Sequence, residues 1–214
     1  MATEHLTDDE VPALELLIDP EARFILDAAV APAGGRIEES TVQQLTYRPG
    51  RSVTAQYRAR VRRADGSEGT EILVATSGGT IPDGVAVVEG SGITIGIWSY
   101  PADPHLPGLR VVASDGGVRK LLEAVGVEGP VVRTRRRAYR PGRRAVVEIV
   151  TPNTRLFAKV VRPSRVAALQ AIHRATEGRL PVPRSHGWSP DDGIVLLEAK
   201  RGVTLRDDLA KRRR

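Results

Sequence analysis

The sequence contains no cysteine, which excludes a disulfide framework and any thiolate metal site. Its four histidines, His5, His105, His173 and His186, are too scattered to suggest zinc ligation. Aromatic residues make up only 4% of the chain, so Val, Leu, Ile and Ala must fill the interior. No run approaches the roughly 18 apolar residues of a membrane span. The opening MATEHLTDDE is acidic, unlike the basic, then apolar, start of a secretory signal. These absences lead to the expectation of a cytoplasmic protein without membrane contact.

Lysine is also rare, confined to Lys120, Lys159, Lys200 and Lys211, so arginine carries most of the basic charge. The formal net charge of +6 is unevenly distributed: residues 1–40 hold ten acidic side chains against Arg23 and Arg36. The stretches 133–144, 162–184 and 211–214 are correspondingly basic. A nucleic-acid partner is disfavoured, because single-strand binding needs stacking aromatics among the basic residues and only Tyr139 lies in the densest cluster. What the chain does have is length for two modest cores, since domains usually hold about 100–150 residues. Its composition, 41% hydrophobic and 27% charged, is ordinary for a globular protein.

Thr7-Asp8-Asp9-Glu10 has the form of a capping box and predicts a short helix to about Leu17. Asp19-Pro20-Glu21 predicts a second helix, with Phe24, Ile25, Ala28 and Ala29 as its apolar stripe. From Arg36 the period changes to two. Val53, Ala55, Tyr57, Ala59 and Val61 alternate with polar residues, and a turn at Ala64–Ser67 leads into a strand over 71–76. A second hairpin is expected to join 85–89 to 93–99, followed by a helix carrying Val118, Leu121, Leu122 and Val125. The motif GSGITIG at 90–96 is read as a hairpin rather than a dinucleotide fingerprint, because no helix pattern follows it.

An internal repeat organises the rest. LTYRPGRSVTAQYRARV at 45–61 is echoed by RAYRPGRRAVVEIV at 137–150, and TEILVAT at 70–76 by TRLFAKV at 154–160, which sets Ala75 in the place of Lys159. Ser164 is expected to cap a helix on which Val166, Leu169, Ile172 and His173 share a face, closed by Gly178. A buried strand follows at 194–198, and Thr204 is expected to begin a last helix. The predicted fold class is α+β, with two successive antiparallel β-meander units and flanking helices. The expected segments are 1–128, 129–198 and 199–214.

The candidate for chemistry is Lys159. An ammonium on a middle strand beneath a hairpin turn can offset phosphate charge, and Leu156-Phe157-Ala158 and Val160-Val161 would hold it rigid. The alternative is a strand lysine reaching out to solvent. Arg140-Pro141-Gly142-Arg143 could offer backbone amides to a phosphate, since glycine tolerates a positive φ. A plain hairpin turn explains the same residues, all the more because Arg48-Pro49-Gly50-Arg51 repeats them with no lysine to serve.

The order strand, glycine turn, strand, strand bearing Ala-Lys, helix, strand ending Leu-Leu-Glu-Ala resembles the N-lobe of aminoglycoside phosphotransferases and related small-molecule kinases. The matching stretches are YRPGRRAVVEIV, RLFAKVVRPSRVAALQAIHRA, LPVPRSHGWSPDDGIVLLEA and RGVTLRDDLA, while YPADPHLPGL at 100–109 resembles the cap-to-lobe connection of capped, maltokinase-like members. The resemblance implies a cap over 1–128, an ATP-binding N-lobe over 129–198, and a hinge with the start of a C-lobe over 199–214. It implies ATP as cofactor, contacted by Lys159, Gly142 and Arg143, with Glu198 and Ala199 as the hinge beside adenine.

The chain departs from the family pattern in two places. The helix offers Gln170 and Arg174 where such kinases carry a carboxylate that pairs with the strand lysine. The family's His-Gly-Asp catalytic loop and metal-binding Asp do not occur either, since His186-Gly187 is followed by Trp188. Magnesium is therefore expected only if a C-lobe is supplied, and the chain alone is expected to show no turnover. No catalytic residue is assigned and the acceptor is not identified. A separate C-lobe or self-association at an apolar surface near 195–209 is the expected partner relation. The competing expectation is a non-catalytic binding or regulatory module.

Overall fold

A computed structural model describes residues 7–200 and Gly202. Internal contacts divide the chain into two compact units, Met1–Arg110 with Arg140–Arg143, and Val111–Tyr139 with Arg144–Arg214. The fold class is α+β with two antiparallel five-stranded sheets, as the residue periods predict. The last predicted helix, at Thr204, lies outside the described residues. No helix among the described residues is long and apolar enough to cross a membrane.

The first unit opens with helices α1 (Ala13–Ile18) and α2 (Ala22–Val30). Strands β1 (Gly35–Arg48), β2 (Ser52–Arg63), β3 (Glu68–Ser77), β4 (Ala86–Gly90) and β5 (Ile93–Ser99) follow in sheet order β1-β2-β3-β5-β4. The alternation on β2 is fully used. Val53, Ala55, Tyr57, Ala59 and Val61 are buried in one core with Leu14, Leu17 and Leu26 of the two helices, each large side chain contributing about 1.5–3 kcal/mol by leaving water. Tyr57 donates its hydroxyl to the Leu17 carbonyl, tying sheet to helix. On the opposite face, Arg60 and Arg62 pair with Glu38 and Glu68.

A short helix, α3 (Gly108–Val112), precedes the second unit's α4 (Asp115–Ala124), whose first turn is capped by the Ser114 hydroxyl accepting from Gly117 N. Then come β6 (Arg133–Arg140), β7 (Arg144–Val150), β8 (Arg155–Val161), α5 (Pro163–Thr176), β9 (Ser185–Ser189) and β10 (Ile194–Glu198). The sheet order is β6-β7-β8-β10-β9, the same permutation as in the first unit. The repeat therefore spans five strands rather than three.

Strand register corrects one expectation. Counting from the two Arg-Pro-Gly-Arg turns, Ala55 corresponds to Val147. Ala55 pairs with Ala75 and Val147 with Ala158, so Ala75 matches Ala158, and Thr76, not Ala75, stands in the place of Lys159. Burial agrees, because Ala75 and Ala158 are both fully buried core residues. Residue composition along the two strands matches Ala75 to Lys159, whereas the ladder, counted residue by residue, matches it to Ala158.

The repeat also reaches upstream of the strands. Asp8-Asp9-Glu10-Val11-Pro12-Ala13-Leu14 and Asp103-Pro104-His105-Leu106-Pro107-Gly108-Leu109 share the pattern Asp, two residues, Val or Leu, Pro, a small residue, Leu. In each, the Asp Oδ1 accepts from the backbone N–H two residues on, at 2.9 Å, and its carbonyl accepts from the third. This replaces the expected capping box: α1 starts after Pro12 with no side-chain cap, and Asp8 is committed elsewhere. The stretch 100–109, expected as a connection, is the second copy of the chain's own opening.

Three smaller expectations also change. Phe24 is 57% exposed, and α2 fully buries Ala22, Leu26 and Val30, while Ile25, Ala28 and Ala29 of the expected stripe pack partly buried against the same core. Arg162 rather than Ser164 holds the N-cap position of α5, because Pro163 already supplies a first residue that needs no hydrogen-bond acceptor. Ile172 is 61% exposed, and Gln170 takes the inward place. The strand at 194–198 is buried as expected, because its neighbours β8 and β9 flank it and α5 packs on one face, so the apolar surface expected near 195–209 is not open at 195–197. The remainder of the expected apolar surface lies outside the described residues.

Candidate functional site

On β8 the side chains alternate strictly. Leu156, Ala158 and Val160 enter the core, while Phe157, Lys159 and Val161 face the other way. That second face is covered by α5, whose Val166 and Leu169 pack with Phe157, Val161, Val195 and Leu197. Lys159 sits between Val146 of β7 and Val195 of β10 in the ladder. Its stem is flanked by aliphatic groups and the residue is half-buried.

Lys159 has no carboxylate in ion-pair contact among the described residues. Glu148 lies on the same face, opposite Phe157 and hence diagonal to Lys159. Both its oxygens are engaged by guanidinium groups, Oε2 by Arg137 at 2.6 Å and Oε1 by Arg155. Burial of Glu148, which is 1% exposed, pushes its carboxyl up, and the two arginines more than offset this, so its pKa falls below the ordinary value. For Lys159 the balance is reversed. Burial, and then the charge of Arg144, hold its ammonium below the usual lysine range. A desolvated cation beside Arg144, on a face whose carboxylate is already held by two guanidinium groups, is a place where an anion would be stabilised.

His173 completes the neighbourhood. Burial first, and then the charge of Lys159, lower its pKa, while the Pro183 carbonyl and Glu177 act the other way. Gln170 on the same helix is 5% exposed and accepts a hydrogen bond from the Ser185 hydroxyl at 2.9 Å.

The remaining residues expected at a nucleotide are already engaged. Glu198 N donates to the Arg184 carbonyl at 2.9 Å and Ala199 N to the Arg155 carbonyl at 3.1 Å, so neither hinge N–H is free. Gly142, at φ +62°, donates its N–H to Asp103 Oδ2 at 2.7 Å, and Arg143 N closes the turn on the Arg140 carbonyl. The first copy is built alike: Gly50, at φ +63°, donates to Asp8 Oδ2 at 2.9 Å, and Arg51 N closes on Arg48. Tyr47 also donates to Asp8, and that hydroxyl first, then the Gly50 amide, hold the Asp8 carboxyl below its ordinary value.

Lys159, Glu198 and Ala199 thus belong to one compact unit, while Gly142 and Arg143 group with the other. A cavity of about 650 Å³ lined by Asp115, Arg119, Leu122, Glu123 and Val127 includes none of these five residues. No cluster of three His, Cys, Asp or Glu that could hold a metal ion occurs among the described residues.

Sequence reasoning missed Asp8 and Asp103, although the duplicated Asp-x-x-(Val/Leu)-Pro pattern was available as a signal. It missed the Arg137–Glu148–Arg155 group, for which no local pattern exists. No family model, curated protein or solved structure matches the chain.

Proposed function

We propose that this chain is the cap and ATP-binding lobe of a small-molecule phosphotransferase of the kind that aminoglycoside phosphotransferases represent, with Lys159 as the phosphate contact. One observation carries the reading: Lys159 is half-buried on a middle strand under a helix, with Arg144 as its charged neighbour and the carboxylate of its own face held by two arginines. That arrangement fits the polyphosphate of ATP, which would supply the missing negative charge. In this reading the named residues serve nucleotide binding, and the reacting phosphoryl group and its magnesium would require a base and metal carboxylates of the kind such kinases carry in a C-lobe.

Binding of a fluorescent ATP analogue to the full chain tests this. Lys159→Ala should weaken affinity at least tenfold, the scale of one charge-assisted hydrogen bond of about 1.5–3 kcal/mol, with Lys159→Arg intermediate. Equal affinity in all three proteins would refute the assignment. A second reading, a non-catalytic binding module, draws on the engaged N–H groups of Gly142, Glu198 and Ala199, which leave a nucleotide few backbone donors there. It predicts no ATP binding even when a C-lobe is supplied in trans.

A further inference from the structure

Two turns of α5 run along the face of the sheet that carries Lys159. Val166, Leu169 and Gln170, and His173 are spaced three, four and seven residues apart, which brings them onto one side of a helix. Val166 and Leu169 rest on the residues that flank Lys159 along its strand, Phe157 and Val161, and on Val195 opposite it. Gln170 follows, neutral and tied to Ser185. His173 comes one turn later, with its Nδ1 buried and without a hydrogen-bond partner among the described residues.

We propose that α5 sets His173 against Lys159, so that an anion arriving at Lys159 is taken up together with a proton on His173. The idea rests on the nucleotide reading and adds its regulation.

The charged and titratable groups around the imidazole divide unevenly. From β8 comes Lys159, with Arg144 of β7 beside it. From the helix end comes Glu177, whose carboxylate is shared with Arg184 at 3.5 Å. The segment after the helix offers the Pro183 carbonyl, and β9 offers the Ser185 hydroxyl, already used by Gln170. With His173 neutral, the Lys159 side is therefore net positive, and a second cation there is opposed. A bound phosphate reverses this. It screens the repulsion between Lys159 and His173 and favours the imidazolium.

The sign of the linkage is set by these charges. His173 is lowered from its ordinary 6.5 in the free protein by burial and then by Lys159, and an anion raises it. Affinity then climbs as pH falls through the raised, bound-state value and levels off below the free-state value. A carboxylate partner would give no such dependence above pH 5.

The imidazole C–H resonance of His173, assigned by its loss in His173→Gln, is followed against pH in the full chain. Without ligand, His173 should titrate below 6.5 and rise in Lys159→Met, because that substitution removes the like charge. With ATP it should rise in the wild-type chain. Calorimetry near pH 6 in buffers of different ionisation heat should show proton uptake on ATP binding that His173→Gln lacks. Between pH 7.5 and 5.5 the wild-type affinity should gain about threefold to tenfold relative to His173→Gln, a shift of up to about one pKa unit. The comparison removes the titration of the nucleotide itself, which both proteins share. Identical pH profiles, or a His173 titration indifferent to Lys159→Met, overturn the proposal. If Lys159→Met moves His173 but ATP binds at no pH, the nucleotide reading falls while the His173–Lys159 pair stands.

Discussion

Between Asp8 and Ser99 the chain builds an Asp-held Tyr-Arg-Pro-Gly turn and a five-stranded sheet, and between Asp103 and Glu198 it builds the same parts again. The second copy adds α5 between its third and fourth strands, where the first has the loop 78–85. It also exchanges three positions together. Leu45, Gln56 and Ile72 in the first copy correspond, by counting from the turns and along the ladders, to Arg137, Glu148 and Arg155 in the second. Thr76, hydrogen-bonded to Thr54 at 2.8 Å, corresponds to Lys159 beside Val146. Shared features are explained by the framework, since they recur without lysine or helix. The differing ones are where a function peculiar to the second copy must reside. This shifts weight from Gly142 and Arg143 to Lys159, His173 and the arginine-clamped Glu148.

The largest effect should come from breaking the charged group. Glu148→Gln removes the negative charge that two guanidinium groups share and should destabilise the chain by about 1–3 kcal/mol, less than the full cost of a broken buried pair, because Arg137 and Arg155 are partly exposed and can turn to water. Replacing all three by their first-copy counterparts, Arg137→Leu with Glu148→Gln and Arg155→Ile, should recover part of that loss, since Leu and Ile take the place of two guanidinium groups left without their carboxylate. Denaturant unfolding measures both. The Glu148 carboxyl is held below its ordinary 4.5 in the folded state, so its contribution is present above about pH 4.5 and lost as pH falls through the folded value. That slope should vanish in Glu148→Gln. A triple variant no more stable than the single one would mean that the two copies do not share this register.

An intermediate effect is expected at the turns. Asp103 is buried and accepts from Gly142 N, so Asp103→Ala should cost about 1–2 kcal/mol by removing that acceptor. Asp8→Ala should cost less, because water reaches its half-exposed partners. The Asp8 carboxyl is lowered by Tyr47 first and then by Gly50, so its contribution holds above its ordinary 3.8 and fades as pH falls below that. If the turn is framework, ATP affinity of folded Asp103→Ala should match the wild type in titrations with the fluorescent analogue. A marked gain would show instead that Asp103 competes with phosphate for the Gly142 amide.

The periods of two and three to four in the sequence were sufficient for the sheets, α2, α4 and α5, because burial on one face is a local pattern. The strand order β1-β2-β3-β5-β4 was not legible. Inserting the fifth strand beside the third is a choice among sheet topologies that residue alternation leaves open. Lys159 stood out because its neighbours are apolar on both sides. Its surroundings did not, since Arg144, Glu148 and His173 meet only through the pairing of β7 with β8 and the packing of α5. Asp8 and Asp103 were hidden by a stronger local explanation: Thr7-Asp8-Asp9-Glu10 reads as a capping box, yet its Asp serves a turn 42 residues away in sequence.

The smallest effect concerns whether a strand position alone makes an anion site. Thr76 occupies the register of Lys159, so Thr76→Lys puts the same side chain on the same strand of the other copy. The substitution gives up the Thr54–Thr76 hydroxyl pair and the Thr76 bond to the Val53 carbonyl, at about 1 kcal/mol. No α5 counterpart follows β3, and no histidine occupies the loop 78–85. In a Lys159→Ala background, Thr76→Lys should therefore leave ATP binding as weak as before. Recovery of affinity in that double variant would mean that a lysine opposite Gly96 suffices, and that neither α5 nor His173 contributes what distinguishes the second copy from the first.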